Sequence, residues 1–389
     1  MTVTAPPGFV AAGVSAGIKG EDALDLALVA TVDREPVAAA ATFTTNRAAA
    51  APVRVSREHL QTSGGRAGAV LLSSGNANAA TGRGGLETAE GACGLVAEAL
   101  GLAPASVLVC ATGLIGVPLP LAPFRSGVPL AVAALEATPE AGALAAEAIR
   151  TTDTRAKTTL ARGAGFVVGG MAKGAAMLAP AMATVLAVLT TDAAVSPEVL
   201  ASALRAAVDR SFNELSVDGC CSTNDTVVAL ANGRGASVEP TALERALTEA
   251  CEDLAAQMAD DAEGATKVAE IVVCGALDDA EAARGARRVA ESQLVQASLH
   301  GADPYWGRIV SELGAAGIGF ELERVRVSYG GVAVCERGEA KGHDAGAVAA
   351  HLAGRHIRIE AHLGLGEGSA RVRTTDLSAA YVELNATTS

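Results

Sequence analysis

The chain has 389 residues, half of them apolar and only 3% aromatic. This length and apolar content suffice for a large core, in two domains or one large domain. The net charge of −13 argues against a surface for nucleic acids or anionic membranes, because both require clustered lysines and arginines.

The N-terminal residues show no positive region followed by an apolar segment. No apolar run reaches the roughly 18 to 20 residues of a membrane span. These features predict a cytoplasmic protein. The seven cysteines are an odd number without metal-ligand spacing, and the six histidines show no paired spacing of four residues. We therefore expect free thiols in a reducing compartment and no metal site.

Apolar runs rich in Val, Ile or Leu alternate with helical patterns along the chain. The predicted strands are 69–74, 106–112, 183–191 and 270–276. The predicted helices are 86–100, 128–149, 196–209, 240–259 and 279–298. Two of these helices have clear start signals, in which Pro197 and Pro240 occupy early positions.

Beyond residue 320 the apolar residues alternate with period two, and Gly330-Gly331 separates two such runs. This pattern predicts antiparallel hairpins. The segment GLGEGS at 364–369 joins two strand-like runs and does not open a helix, so it predicts a turn and not a phosphate loop. Together the elements predict an α/β fold of the layered α+β kind. Composition alone places no domain boundary.

Thr184 is a single polar residue at the start of an apolar run that follows a loop of small residues. An internal threonine is a poor nucleophile, because its hydroxyl needs a neighbouring base. A threonine at a chain N-terminus carries its own base, the α-amine, with a pKa of about 8. Cleavage of the Ala183–Thr184 bond would create such a residue. The pattern alone leaves open a plain threonine at a strand start.

The segment MAKGAAMLAPAMATVLAVLTTDA at 171–193 resembles the cleavage motif of the bifunctional ornithine acetyltransferases, KGSGMI followed by APNMATML and TTDA. Other segments resemble the same family in order from end to end of the chain. They are PGFVAAGVSAGIK, FTTNRAAAAPV, SSGNANAATG, ATGLIG, TTDT, SFNELSVDGCCSTNDT, DAEGATK, GADPYWGRI and YVELNA.

This resemblance implies an acetyltransferase-like sandwich that resembles N-terminal-nucleophile hydrolases in mechanism. The precursor would cut itself between Ala183 and Thr184 into chains 1–183 and 184–389, with Thr184 as the nucleophile. In a ping-pong cycle Thr184 would move an acetyl group from N2-acetyl-L-ornithine to L-glutamate, which is the activity of a glutamate N-acetyltransferase/ornithine acetyltransferase of arginine biosynthesis.

The resemblance also carries over other site residues. Thr112 and Gly113 match the oxyanion site. The substrate-binding positions match Thr151, Lys173, Thr184, Glu263, Asn385 and Ser389. It implies neither a metal nor a bound organic cofactor, although some relatives also use acetyl-CoA as a co-substrate. The family commonly forms a heterotetramer of two copies of each chain.

The chain departs from the family pattern at three positions near the nucleophile. Ala175 and Ala176 replace Ser-Gly, and Ala181 replaces Asn. Whether Thr388 or Ser389 completes the site is left open. Two alternatives follow. One is a paralogue in a specialised-metabolite pathway that transfers an acyl group between related amino acids. The other is an uncleaved, inactive homologue with a binding role. Related N-terminal-nucleophile aminopeptidases fit the TTDT, AKG and EGATK segments less well.

Overall fold

A computed structural model describes residues 2–20, 22–177 and 185–387 of the chain. The fold divides into two compact units. The first comprises Met1–Asn213 and Cys221–Met258, and the second comprises Glu214–Cys220 and Ala259–Ser389. These units differ from the predicted chains 1–183 and 184–389. A division into compact units does not test a peptide-bond cleavage, so the two chains stay a prediction.

The first unit contains ten strands among its described residues. They are β1 (Phe9–Val14), β2 (Leu26–Thr31), β3 (Val37–Phe43), β4 (Arg66–Ala67), β5 (Ala69–Asn76), β6 (Val107–Leu114), β7 (Lys157–Gly163), β8 (Phe166–Lys173), β9 (Leu186–Thr191) and β10 (Thr226–Ala231). The helices that accompany them are α1 (Ala51–Thr62), α2 (Gly82–Leu100), α3 (Ala122–Ala133), α4 (Pro139–Ala148), α5 (Pro197–Asp209) and α6 (Pro240–Asp260).

These strands form two sheets. The four-stranded sheet has the order β1-β2-β5-β6, and the six-stranded sheet has the order β4-β3-β10-β9-β8-β7. Strand β2 shows how the layers are built, because Ala27 and Val29 lie in one core and Leu26 and Leu28 in another. The first of these cores holds residues of both sheets, and the second holds residues of α2 and α3. Since successive side chains of a strand point to opposite faces, one sheet separates a core shared with the other sheet from a core shared with helices.

The second unit contains one six-stranded sheet with the order β14-β13-β12-β15-β11-β16. Its strands are β11 (Val268–Ala276), β12 (Arg326–Tyr329), β13 (Val332–Glu336), β14 (Glu339–Ala340), β15 (His356–His362) and β16 (Gly368–Thr375). Its helices are α7 (Asp279–Ala290), α8 (Gln293–His300), α9 (Trp306–Gly314), α10 (Ala345–Ala353) and α11 (Ala379–Asn385).

The predicted α/β class and the predicted C-terminal hairpin are confirmed. Strands β12 and β13 pair antiparallel around Gly330-Gly331. The segment around 364–369 connects β15 to the start of β16, as predicted for a turn. These two strands are not neighbours, because β11 lies between them, parallel to β15 and antiparallel to β16.

Two predicted helices are wrong in extent. The range 128–149 contains the end of α3 and all of α4, because Thr138 accepts a hydrogen bond from the amide of Ala141 and starts a new helix. Before it, Glu136 pairs with Ala11 as an isolated bridge. The range 279–298 is divided in the same way, because Ser292 caps α8. No helix in the described part of the chain is long and apolar enough to cross a membrane.

Candidate active site

Thr112 lies near the end of β6, where the sequence predicts an oxyanion donor. It is buried, and its Oγ1 accepts a hydrogen bond of 3.3 Å from Nζ of Lys173, the last residue of β8. A hydroxyl has one proton and two acceptor lone pairs, so a bond received from an ammonium group leaves the hydroxyl proton to be donated elsewhere. The charged donor also polarises the hydroxyl. Thr112 therefore has the bonding state that an oxyanion donor needs.

Gly113 follows Thr112 at a point where two strands approach very closely. A Cβ on Gly113 would lie 2.3 Å from the carbonyl carbon of Gly75 and 2.5 Å from the amide nitrogen of Asn76. Its φ of +129° is also a conformation that favours glycine. The register between β5 and β6 is irregular at this point. Only glycine fits here without moving the end of β5.

Asp153 is a fully buried carboxylate that connects several predicted residues. Its Oδ1 lies 2.6 Å from Nζ of Lys157 and accepts a bond of 2.7 Å from the amide of Gly174. Its Oδ2 lies 3.9 Å from Nζ of Lys173. Burial alone would raise the pKa of Asp153, but Lys173, Lys157 and the hydrogen bonds outweigh it and lower the pKa to about 2. The group is therefore ionised at neutral pH and balances buried positive charge.

Thr151 belongs to the same arrangement, because its amide donates a bond of 3.2 Å to Oδ2 of Asp153. The structure thus brings the predicted residues Thr112, Thr151 and Lys173 together, because Asp153 contacts Thr151 and Lys173, and Lys173 contacts Thr112. Lys173 is only 3% exposed, so it is not a solvated surface lysine, which is what a single lysine in a sequence would usually indicate. A buried lysine with a hydroxyl and a carboxylate as partners is suited to receiving the carboxylate of a substrate.

Asp225 is a second buried carboxyl group, at the head of β10. Its Oδ1 accepts a bond of 3.1 Å from the amide of Val185, and among the described residues its Oδ2 has no hydrogen-bond partner. Burial raises the pKa of Asp225 well above its ordinary value, although the Val185 amide, Lys173 and the Ser222 hydroxyl act in the opposite direction. A buried acid with an open oxygen is costly unless it serves a purpose. Its one amide partner belongs to the residue that follows Thr184.

Asn224, next to Asp225, connects the ends of β5 and β6. Its Nδ2 donates to the carbonyl of Ala77 at 2.6 Å and to the carbonyl of Ala111 at 2.9 Å. Ala111 directly precedes Thr112. A single side chain therefore fixes the backbone on both sides of the close contact at Gly113.

Lys19 contributes a further positive charge. A Cβ on Gly75 would lie 2.8 Å from Cγ of Lys19, so the lysine stem lies against the strand end that faces Gly113. Burial lowers the pKa of the Lys19 ammonium, Asp25 opposes this effect, and the charge of Lys173 lowers the pKa further. Asp25 holds the lysine segment in place by accepting the amide of Lys19 at 3.0 Å.

Glu263 and Asn385 lie in the second unit, where the structure brings them together. Nδ2 of Asn385 donates to Oε2 of Glu263 at 2.8 Å and to the carbonyl of Tyr381 at 3.0 Å. A Cβ on Gly264 would lie 2.4 Å from the amide nitrogen of Tyr381, so this loop and α11 are in close contact. The two predicted ligands thus form a pair in which Asn385 bonds one of the two carboxylate oxygens of Glu263.

Ala183, Thr184 and Ser389 lie outside the described residues, as do Ala181 and Thr388. Within the described residues, no group of three or more His, Cys, Asp or Glu side chains is placed to hold a metal ion.

The sequence analysis did not single out Lys19, Asp153, Lys157, Asn224 or Asp225. A signal was present for the last two, because Asn224-Asp225-Thr226 directly precedes the buried run VVALA, and polar residues at a strand end frequently serve a site. Lys157 and Asp153 also show a signal, since they are four residues apart with opposite charge.

Comparison with known proteins decides the family. The ArgJ family model matches residues 10–389. The chain belongs to the ArgJ family. It is 45% identical over 386 residues to the arginine biosynthesis bifunctional protein ArgJ of Thermobifida fusca, with 99% of both chains covered. It is 46% identical over 392 residues to the protein of the same name from Mycobacterium bovis, covering 98% of this chain and 95% of the other. A crystal structure of ornithine acetyltransferase with ornithine from Mycobacterium tuberculosis matches at 41% identity and a TM-score of 0.42, covering 48% of this chain and 96% of that one.

We expect Asp153→Asn to lower the free energy of unfolding at neutral pH by roughly 3–5 kcal/mol, because the buried ammonium groups of Lys157 and Lys173 would lose this carboxylate. The lowered pKa of Asp153 makes its stabilisation complete above the unfolded-state value of about 4, and the stabilisation is lost as the pH falls toward about 2. Denaturant unfolding should therefore show a difference in the free energy of unfolding between wild type and variant that is constant above a pH of about 5 and narrows as the pH falls toward about 2.

The matched control is Asp33→Asn, which removes a carboxylate paired with Arg234 at the surface. Its expected cost is at most about 1 kcal/mol. Equal losses for the two variants would contradict the central role of Asp153.

We expect the opposite pH dependence for Asp225→Asn, which keeps an oxygen acceptor for the Val185 amide. A carboxyl group whose folded-state pKa is raised loses stabilisation as the pH rises above its unfolded-state value of about 4. The variant should therefore gain stability relative to the wild type between pH of about 4 and about 8, as measured by thermal midpoints. A constant difference between variant and wild type across this range would show that Asp225 ionises normally.

Proposed function

We propose that the chain cleaves itself between Ala183 and Thr184 and then transfers an acetyl group from N2-acetyl-L-ornithine to L-glutamate through an acyl-Thr184 intermediate. Membership of the ArgJ family supports the acetyl transfer. The observation that carries the proposal is the hydrogen bond from Lys173 to the Thr112 hydroxyl beside Gly113. In the proposed reaction this bond leaves the Thr112 hydroxyl proton available to the oxyanion that forms during acyl transfer.

In the proposed reaction the Thr184 hydroxyl attacks the acetyl carbonyl carbon and gives its proton to the Thr184 α-amine. The Thr112 hydroxyl and the backbone at Gly113 stabilise the oxyanion. Collapse of the tetrahedral intermediate breaks the amide bond, and ornithine leaves with the proton. The amine of glutamate then attacks the Thr184 ester in the same way. One amide replaces another, so the cycle needs no external energy source.

The binding roles follow the charges. Lys173 would pair with the α-carboxylate of the amino acid, with Thr151 beside it as a further hydrogen-bond donor. Glu263 would pair with an ammonium group, and Asn385 would orient Glu263 through the bond described above. Ser389 is retained as the terminal hydroxyl ligand on the family resemblance alone.

The strand order supports chains that stay associated after cleavage. Strand β9 follows the proposed cut and pairs along its six residues with β8, which precedes it. Strand β10 likewise pairs along six residues with β3. The resemblance further supports a heterotetramer of two copies of each chain and a cytoplasmic location, and we propose both. It also supports acetyl-CoA as an alternative acetyl donor, with no resident cofactor.

The first experiment is an intact-mass spectrum of the purified protein. The wild type and Thr184→Ser should each give two fragments that meet after Ala183, because both keep a hydroxyl. Thr184→Ala should remain one chain. Cleavage of this bond in all three proteins would reject Thr184 as the cleaving group. An uncleaved wild type would reject the proposed maturation and favour the inactive homologue, with Ala175, Ala176 and Ala181 as the altered positions.

A second prediction concerns the processed enzyme. Thr112→Val removes the hydroxyl but keeps the shape, and we expect kcat to fall by about 10²–10³-fold, as on loss of one oxyanion donor. Thr112→Ser should retain most of the activity. Assays with acetylornithine and a panel of related acyl amino acids separate the ornithine enzyme from a paralogue. Equal kcat for the Val and Ser variants would contradict the oxyanion role.

A further inference from the structure

A pocket in the first unit contains none of the residues assigned to the candidate active site. It has a volume of about 750 Å³, within the usual range for small-molecule sites. The segment before α1, the beginnings of α1 and α2, and two separate residues, Ile115 and Thr223, line it. The proposed acetyl transfer assigns no role to this pocket.

The pocket lining is positively charged, whereas the chain as a whole is negatively charged. Three arginines line the pocket, Arg47, Arg54 and Arg57, and no aspartate or glutamate does. The chain as a whole has 43 acidic residues against 30 lysines and arginines. All three arginines are exposed, and none forms an ion pair with a carboxylate in the part of the chain that the structure describes. Three guanidinium groups so placed repel one another, and an anion between them would relieve the repulsion.

Two helix N-termini add to this positive potential. Ala51, the first residue of α1, and Gly82, the first residue of α2, both line the pocket. Neither helix has an acidic residue in its first turn, and neither has a side-chain hydrogen bond at its N-cap. The N-terminus of a helix carries a partial positive charge and backbone amides that bind anions well. In α1 the Ala51 amide already donates to the carbonyl of Asn78 at 3.3 Å and Pro52 has no N–H, so α1 adds its dipole and α2 adds the amides of its first turn. Arginine and helix amides are the two protein groups best suited to phosphate oxygens.

Apolar groups complete the lining. The guanidinium of Arg57 lies over the ring of Phe43 at 5.3 Å, which holds this arginine against a flat apolar surface. Ile115 is 45% exposed although it is a large apolar residue. The pocket therefore offers both a strongly positive part and apolar area. A bare inorganic ion would use only the first.

We propose that this pocket binds an organic ligand that carries at least two phosphate groups. A single carboxylate would leave most of the three guanidinium charges and the two helix ends without an anionic partner. A diphosphate has the charge and the number of acceptor oxygens to engage several of them. The attached organic group would lie against Phe43 and Ile115.

The test is a calorimetric titration of the full-length protein with adenosine diphosphate, inorganic pyrophosphate, citrate and adenosine. Adenosine diphosphate should bind most tightly, pyrophosphate should bind more weakly, and adenosine should not bind measurably. Arg54→Gln and Arg57→Gln should each weaken the binding of adenosine diphosphate by about tenfold or more, because each removes a charge-assisted hydrogen bond. Arg57→Lys keeps the charge but not the planar fork and should fall between Arg57→Gln and the wild type.

The matched control is Arg125→Gln, an exposed arginine of α3 that does not line the pocket. It should leave binding unchanged. Thermal midpoints equal to that of the wild type would show that the Gln variants are folded. The proposal would be overturned if binding did not saturate or if citrate bound as tightly as pyrophosphate. It would also be overturned if Arg54→Gln and Arg57→Gln bound adenosine diphosphate as tightly as the wild type. The measurement needs no turnover, so its result is independent of the acetyl-transfer proposal.

Discussion

The buried carboxylate of Asp153 is the interaction on which the charged part of the candidate site depends. The ammonium groups of Lys157 and Lys173 lie in the protein interior, where a charge without a nearby anion is costly, and Asp153 lies close to both. Lys173 in turn donates a hydrogen bond to the Thr112 hydroxyl. The bonding state of the proposed oxyanion donor, Thr112, thus depends on Asp153 through Lys173.

The backbone around Thr112 is held by a different kind of constraint. Gly113 allows the ends of β6 and β5 to approach more closely than any side chain would permit, and Gly75 leaves room for the stem of Lys19. Asn224 then bonds a carbonyl on each side of this contact. The close backbone contact and the Asn224 side chain position Thr112. The salt-bridged Lys173 leaves the Thr112 hydroxyl proton to be donated elsewhere.

The sequence predicted the elements whose signals are local. Strands β5 and β6 appear as short apolar runs between small or polar residues, and the structure confirms both. Strand β2 was missed, although its six residues LALVAT form the same kind of short buried apolar run. The division between α3 and α4 was readable from Thr138-Pro139, a cap followed by a proline at the first helical position.

The site could be predicted only in part, for a physical reason. Thr112 and Lys173 were found through resemblance to a family, since their contact joins residues 61 positions apart and leaves no local pattern. The bond between Asp225 and Val185 spans 40 positions and was missed. Burial raises the pKa of Asp225. At Asp153 the neighbouring lysines outweigh burial and lower the pKa. Composition and spacing do not contain this information.

The pairing of β8 with β9 and of β3 with β10 has a consequence for refolding. Each pair joins a strand before Thr184 to a strand after it. In an uncleaved chain these strands find each other within one molecule, at an effective concentration set by the connecting segment. If the bond before Thr184 is cut as proposed, the same sheet can form again only by a second-order encounter of two chains. Cleavage would thus make the native state dependent on protein concentration when it is regained, although every contact within it is unchanged. The mature enzyme would then persist because it unfolds slowly.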